Sequence, residues 1–364
     1  MMKNKIKLFD PKIGKEEEIA LIKTLKSGFW ASGSGGGNVA EFENKFSKYV
    51  NSKNCITVNS GTAALHLALS LFDIKGKEVI LPSLSFATTA HAVIYNGGIP
   101  KFVDVDPTTL CIDPDSIENA ITSRTKLILP VHFAGFPSEM NKIQKICKVN
   151  NLKLVEDAAH AAGTLYKKKK IGSHGNAVCF SFHPVKNLAM PTGGAITIND
   201  KNYKKFEKVL KMRRWCGITD RKGVEYDVKE AGWNFYMNEF SAAVGLEQLK
   251  KLDFLNKIKK KIAKIYANEI NVFEKMPYNK DSSYHIYWIL VKNRKKFMKK
   301  MSENGIETGI HYRPIHEMSY YKKKIHLDVT ESVGKEIVTI PIHANLSNND
   351  VTRIVNTINK ILDE

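Results

Sequence analysis

The sequence predicts an α/β fold with three layers, α/β/α, around a mostly parallel sheet, and a smaller C-terminal α/β unit. Three observations carry this expectation. From residue 55 onward short β-branched runs alternate with helical patterns, and strands separated by helices pair in parallel with both faces covered. After residue 235 the alternation gives way to one long helical stretch and then a shorter mixed pattern. At 364 residues the chain is also long enough for two domains.

Residues 15–27 and 38–50 read as helices on either side of the glycine-rich turn Gly33–Gly37. Strands are expected at 55–58, 77–81, 99–104, 126–132, 152–156, 177–182 and 194–198, with helices near 62–72, 85–96, 113–122 and 138–150. The last two strands have no helix between them and form a local exception to the parallel rule. Beyond them come a helix at about 237–275, a strand at 284–291, a helix at 295–304, a short strand near 306–311 and a closing helix at 348–362. The domain boundary falls inside the long helix, near residue 250, giving units 1–250 and 251–364.

Hydrophobic residues make up 43% and charged residues 26%, an ordinary globular balance. Met1–Pro11 is short, basic and broken by Asp10-Pro11, unlike a signal peptide, and no later apolar run approaches the roughly 18 residues of a membrane span. A cytoplasmic protein without a membrane partner is expected. Five scattered cysteines (Cys55, Cys111, Cys147, Cys179, Cys216) never spaced as Cys-x-x-Cys argue against a disulfide framework and a zinc site. The formal charge of +19 would suit nucleic acid, a membrane surface or a phosphorylated substrate. The lysines, however, are spread over Lys167–Lys170, Lys257–Lys261, Lys295–Lys300 and Lys322–Lys324, without interleaved aromatics or a DNA-binding motif. Solvated lysine-rich faces with a general attraction for anionic nucleotides account for them, and no nucleic-acid partner is expected.

Three segments carry chemistry. Asn59-Ser60-Gly61-Thr62-Ala63 follows a strand and opens a helix, where exposed amides and the helix dipole favour an anion and Thr62 adds a hydroxyl. A plain N-cap with a glycine turn uses the same residues. Glu156-Asp157-Ala158-Ala159-His160 ends an apolar strand, the place where open α/β sheets bind ligands. Asp157 suits a protonated pyridine nitrogen and His160 a ring hydroxyl, although two acids there can also cap the next helix. In Phe180-Ser181-Phe182-His183-Pro184-Val185-Lys186-Asn187-Leu188, apolar neighbours desolvate Lys186 and make its amine a nucleophile for Schiff-base formation, while Ser181 can donate to a phosphate. An anion cradle, an acid for a ring nitrogen and a lysine for an aldehyde are together the three anchors of pyridoxal phosphate.

The chain resembles the DegT-type nucleotide-sugar aminotransferases, fold-type-I pyridoxal-phosphate enzymes, over nearly its whole length. Six ordered segments carry the resemblance: NSGTAALHLAL (59–69), LPSLSFATTAHAV (81–93), VEDAAHAAG (155–163), FSFHPVKNL (180–188), AGWNFYMNEFSAAVGLEQLKKLD (231–253) and GIHYRPIH (309–316). It implies an aminotransferase that passes an amino group, usually from glutamate, to a nucleotide-linked keto-sugar in amino-sugar and surface polysaccharide or glycoconjugate biosynthesis. Pyridoxamine phosphate is the intermediate form of its cofactor. The resemblance assigns Lys186 to the cofactor aldehyde and to proton transfer, Asp157 to the ring nitrogen, and His160 to the ring hydroxyl, where many members have Gln. Gly61, Thr62, Ala63 and Ser181 would hold the phosphate, and Phe86 would stack on the ring. Asn234 matches a residue that reaches a neighbouring subunit's phosphate, which implies a homodimer with shared sites. Trp30, His311, Arg313 and His316 match positions that approach the sugar or amino donor.

The sequence departs from the family in three places: the longer, glycine-richer loop Ala31–Asn38, Tyr236 where many members carry Arg, and Lys167–Lys170 in a hairpin usually built with glycine, expected here as exposed turn residues. A sugar dehydratase of the same family would carry His in place of Lys186. A cyclitol aminotransferase stays open, as does a DNA-binding regulator, which steep salt dependence of duplex binding would reveal. A dinucleotide-dependent dehydrogenase would need Gly33–Gly37 to follow a strand, which it does not.

Overall fold

The computed structural model describes residues 5–321 and 325–364, so the lysines at Lys322–Lys324 and the first four residues of the basic N-terminus lie outside it. The chain opens with helices α1 (Lys15–Ser27) and α2 (Gly37–Val50). Packing explains the glycines between them: a Cβ on Gly33 would overlap the indole of Trp215, and Gly35, at φ +76°, lies against the guanidinium of Arg214. Arg214 is buried, donates to Glu43 at 2.5 Å and to the Thr57 carbonyl at 2.9 Å, and so ties α2 to the first strand.

Strand and helix then alternate: β1 (Asn54–Val58), α3 (Gly61–Ser70), β2 (Glu78–Pro82), α4 (Thr88–Tyr95), β3 (Ile99–Val103), α5 (Pro114–Ala120), β4 (Thr125–Ile128), α6 (Met140–Val149) and β5 (Lys153–Asp157). A small hairpin, β6 (Leu165–Tyr166) and β7 (Lys169–Lys170), precedes β8 (Ala177–Ser181) and β9 (Gly194–Ile198). Helix α7 (Tyr203–Arg214), an exposed hairpin of β10 (Ile218–Lys222) and β11 (Glu225–Val228), and the 31-residue α8 (Glu239–Glu269) follow. Helix α7, whose Tyr203, Phe206 and Leu210 meet the core at helical spacing, and the exposed strands β10 and β11 were not among the expected elements. β4 stops at Ile128 instead of reaching residue 132, because Pro130 has no N–H to extend the ladder. In the β6–β7 turn Lys167 and Lys168 both adopt positive φ, at 48° and 69°. Lys170 is not free turn decoration: its amine sits 3.1 Å from Asp253 and 3.6 Å from the Tyr49 ring centroid.

Seven strands form one sheet in the order β1-β9-β8-β5-β4-β2-β3. The β2–β3, β2–β4, β4–β5 and β5–β8 pairs are parallel, and β9 runs against both β1 and β8. Alternate residues serve opposite layers. Val79, Leu81 and Val155 pack with α3, α4 and α7, while Ile80, Leu154 and Val178 pack with α2, α5 and α6. On that second side Phe46 meets Phe180 edge-on at 5.0 Å and Phe42 meets Phe182 at 5.4 Å, pairs worth about 1 kcal/mol each beyond burial. They hold β8 on both sides of Ser181.

The C-terminal unit contains β12 (Tyr287–Leu290), α9 (Arg294–Glu303), α10 (Asp328–Glu336), β13 (Ile337–Ile340) and α11 (Asn348–Leu362). β12 pairs antiparallel with β13, not with a strand at 306–311. In that segment Ile306 and Gly309 make one bridge each, to Ile6 and Thr339, whereas the β-branched run IVTI of β13 is buried at every position. The first half of α8 packs through Ala242, Leu246 and Leu252 beside α2. Its second half, through Ile262, Ala263 and Tyr266, joins the core built on β12 and β13.

Candidate active site

Asn59-Ser60, Ser85-Phe86, Asp157 and Ser181 all stand at the carboxyl ends of strands that run the same way, β1, β2, β5 and β8. They open onto a cavity of about 340 Å³ that is also lined by Gly61, Thr62, Thr89, His160, His183, Lys186, Thr192, Gly193, His311 and Tyr312. The fold thus assembles in one place residues as far apart in sequence as Ser60 and Tyr312.

At one end lies the start of α3. Ser60 caps it, its hydroxyl accepting from the Ala63 amide at 3.1 Å. The first amides of the helix have no intrahelical acceptor and face the cavity with the Thr62 hydroxyl. Only glycine fits at position 61: a Cβ there would come within 2.7 Å of the Ser181 Cβ, so the missing side chain lets Ser181 close on the helix end. Ala63 is buried, does not line the cavity, and its amide is already engaged by Ser60.

At the other side Asp157 is buried at the end of β5. Thr89 of α4 donates to its Oδ2 at 2.9 Å and the Ala159 amide to its Oδ1 at 3.1 Å, which orients the carboxyl. Burial pushes this carboxyl up from its ordinary range, while those two hydrogen bonds and the charge of Lys186 pull it back. Glu156, one residue earlier, points through the opposite face and pairs with buried His132 at 3.0 Å. The Ser138 amide donates to His132 Nδ1, so the proton sits on Nε2 and is donated to Glu156.

Lys186 enters from the loop after β8. Burial lowers its amine to about 8, and the charge of Asp157 opposes the shift. Its neighbour Asn187 is buried and donates to Asn256 of α8 at 3.0 Å and to the Ser283 carbonyl at 2.8 Å, which pins the loop on both units. His160 receives the Ala134 amide on Nδ1 at 3.2 Å, so its Nε2 carries the proton toward the Tyr312 hydroxyl, 3.1 Å away. Burial drives His160 well below its usual range and lowers His311 to about 4, so both rings are neutral. Phe86 is 57% exposed and forms a wall of the cavity, not part of the core.

The other expected residues stand elsewhere. Asn234 is exposed and outside the cavity, its carbonyl accepting from Asn59 at 3.3 Å. Trp30 is exposed, with its indole N–H on the Leu25 carbonyl at 3.1 Å. Arg313 is also exposed and turns to the Glu317 carbonyl at 2.8 Å. His316 is buried with both ring nitrogens engaged, by Ser83 at 2.7 Å and Glu331 at 3.3 Å, and so braces the loop after Gly309 against β2 rather than facing the cavity. Thr89, Tyr312 and His285, which stands 3.3 Å from the Lys186 amine, were not picked out in the sequence. Tyr312 adjoins His311 in GIHYRPIH and was findable there, but nothing local marks Thr89 or His285.

These residues fit pyridoxal phosphate. The glycine-dependent approach of Ser181 to a helix start suits the phosphate, the buried carboxyl suits the ring nitrogen, and the desolvated amine suits the aldehyde.

Comparison with known proteins points the same way. The sequence model of the DegT/DnrJ/EryC1/StrS aminotransferase family matches residues 11–359. The spore coat polysaccharide biosynthesis protein SpsC of Bacillus subtilis is 34% identical over 375 residues, covering 97% of this chain and 96% of SpsC. Among solved structures, Helicobacter pylori PseC, an aminotransferase involved in the biosynthesis of pseudoaminic acid, superposes with a TM-score of 0.93 at 29% identity over 99% of this chain and 100% of PseC. The pyridoxal-phosphate form of the putative sugar aminotransferase Spr1654 from Streptococcus pneumoniae gives 0.92 at 26% identity over 99% of both chains, and a pyridoxamine-phosphate form matches equally well.

Proposed function

The chain belongs to the DegT/DnrJ/EryC1/StrS aminotransferase family, and from that premise we propose that it moves an amino group from glutamate to a nucleotide-linked keto-sugar, with Lys186 holding the cofactor. It is a pyridoxal-phosphate-dependent sugar aminotransferase. The donor, the acceptor and the residue roles are the proposal. The observation that supports them best is that the Lys186 amine and the Asp157 carboxyl line one cavity with the Gly61–Ser181 cradle.

Pyridoxal phosphate, when bound, supplies an electrophilic aldehyde and a ring that withdraws electrons. The chain does the rest. Gly61, Thr62 and Ser181 would hold the phosphate, Asp157 would pair with the ring nitrogen, His160 with the ring hydroxyl, and Phe86 would stack on the ring. Lys186, with its amine lowered to about 8, is neutral in a useful fraction near neutral pH. With the cofactor bound, its Nζ would be the group that takes up and gives back the proton of the donor's α-carbon, and the same amine would serve the sugar. Thr89 and Ala159 keep the Asp157 oxygens fixed while this happens.

The phosphate, the donor carboxylates and a nucleotide diphosphate are all anionic, yet Lys186 is the only Lys or Arg among the described residues that line the cavity. A second copy of the chain is the natural source of further cations and of the Asn234 contact, which supports a homodimer with shared sites. We place the domain boundary near residue 250, inside α8. No helix among the described residues is long and apolar enough to cross a membrane. A nucleotide-linked acceptor supports work in the cytoplasm. Likeness to SpsC supports a polysaccharide or glycoconjugate product.

The test is incubation of the purified protein with glutamate and a panel of nucleotide keto-sugars and keto-cyclitols, with mass detection of the amino product. An aminated nucleotide sugar bears the reading out, and amination of the cyclitols alone refutes it.

A further inference from the structure

The segment before β12 carries a side chain whose placement is costly and which none of the steps above uses. His285 is 1% exposed, and its Nε2 lies 3.3 Å from the Lys186 amine. The ring is fixed on both sides: it stacks on Phe9 at 5.7 Å between centroids with an interplanar angle of 19°, and meets His160 at 4.3 Å. Its Nδ1 is buried without a hydrogen-bond partner among the described residues. An imidazole used only for packing would leave that nitrogen unsatisfied for no return, where Phe or Leu would fill the space at lower cost.

The backbone at this point is unusual as well. Tyr284, a buried aromatic, sits at φ +50°, in the left-handed region that large side chains avoid. Around it the chain is clamped to the sheet unit: the His285 amide donates to the Ala134 carbonyl at 2.9 Å, and the Ser283 carbonyl takes the Asn187 side chain beside Lys186. The strand expected from residue 284 starts only at Tyr287, after this left-handed residue, and His285 between them meets the lysine.

We propose that His285 is a positioning residue for Lys186, its Nε2 accepting a hydrogen bond from the amine whenever the lysine is free and aiming that amine into the cavity. This rests on the reading that Lys186 carries the cofactor. While the lysine is an ammonium it can only donate, so Nε2 is then the acceptor and the ring proton sits on the unpartnered Nδ1. The ring can play this part because burial, with the charges of Lys186 and Lys259, holds it well below the usual histidine range, so it stays neutral. Lys186 itself is faced by Asp157 from β5, by His285, and by His160, His183 and His311, whose own protonation its charge disfavours. The catch on the amine therefore comes from the C-terminal unit, while the loop that bears it belongs to the sheet unit.

The experiment follows the rate at which cofactor-free protein captures added pyridoxal phosphate, read from visible absorbance across pH 6 to 10, beside the affinity for pyridoxamine phosphate, which cannot react with the lysine. His285→Phe keeps the stack on Phe9 and removes the acceptor, and His285→Gln restores a polar atom near Nε2. Expected for His285→Phe is capture slower by about tenfold, the scale of one hydrogen bond to a charged group, with a displaced pH midpoint and unchanged pyridoxamine phosphate affinity. His285→Gln should recover most of the rate. Wild-type rate and midpoint in His285→Phe would overturn the proposal, and so would equal loss of pyridoxamine phosphate binding in both variants, which would make the ring a packing element only. Lys186→Ala is the control for the underlying reading. If it still captures pyridoxal phosphate at the wild-type rate, that reading fails; if it does not while His285→Phe is normal, only the role of His285 fails.

Discussion

Two adjacent acids, Glu156 and Asp157, show how strand geometry separates roles that sequence proximity would merge. Successive side chains leave opposite faces, so Asp157 meets Thr89 and the cavity while Glu156 meets His132 in the opposite layer. Asp157→Ala should lower turnover by about a hundredfold or more, the scale of removing one preorganised electrostatic contact. Glu156→Ala should leave turnover within about threefold and cost about 2 kcal/mol of stability, since it strands the His132 N–H. Steady-state rates and denaturant titrations on both variants check the pair. The Lys186 amine must be neutral to react, so cofactor capture should rise with pH through about 8 and level off above it. Asp157, Ser181 and Gly61 were legible in the sequence because each ends a strand or opens a helix, and Lys186 because it is set among apolar residues just beyond β8. His285 and Thr89 were not, because they act across 99 and 68 residues and sit in segments without a local signature.

Among the elements, α8 joins the two cores, and its Lys259 is the clearest consequence. That amine is buried, donates to Asn187 at 2.8 Å, and is lowered to about 7 by burial. Because the folded value lies below the unfolded one, the unfolded chain binds the extra proton between about 7 and 10.5, and stability contributed here rises with pH across that window. Lys259→Met should therefore flatten the slope of unfolding free energy against pH by about 1 kcal/mol per unit between pH 7.5 and 9.5, measured by urea titration. The central strands and their helices were readable because apolar runs and turn residues alternate regularly. The C-terminal strand pair was only half readable: β12 was visible, but β13 is four residues placed directly after α10, and the segment near 306–311 mimics it in composition. The glycine-rich turn, which lacks the preceding strand of a dinucleotide loop, has a packing reason instead: Gly33 lies against Trp215 and Gly35 against Arg214.

For the whole molecule, a cavity with a single cation among its described lining residues and an exposed Asn234 outside it fit a site completed by a second copy. Light scattering should report a dimer. Mixing Lys186→Ala with Asn234→Ala after dissociation tests the sharing directly. Random reassociation makes about half the dimers mixed, each with one intact site of two, so about a quarter of wild-type activity should return. No recovery in mixed dimers would mean that each chain works alone.

The central claim is that one lysine carries the cofactor. Borohydride reduction of the holoprotein followed by peptide mass mapping tests it most directly. The account predicts a single reduced pyridoxyl group on the peptide that contains Lys186, and a label on Lys259, or on no lysine of this cavity, would contradict it.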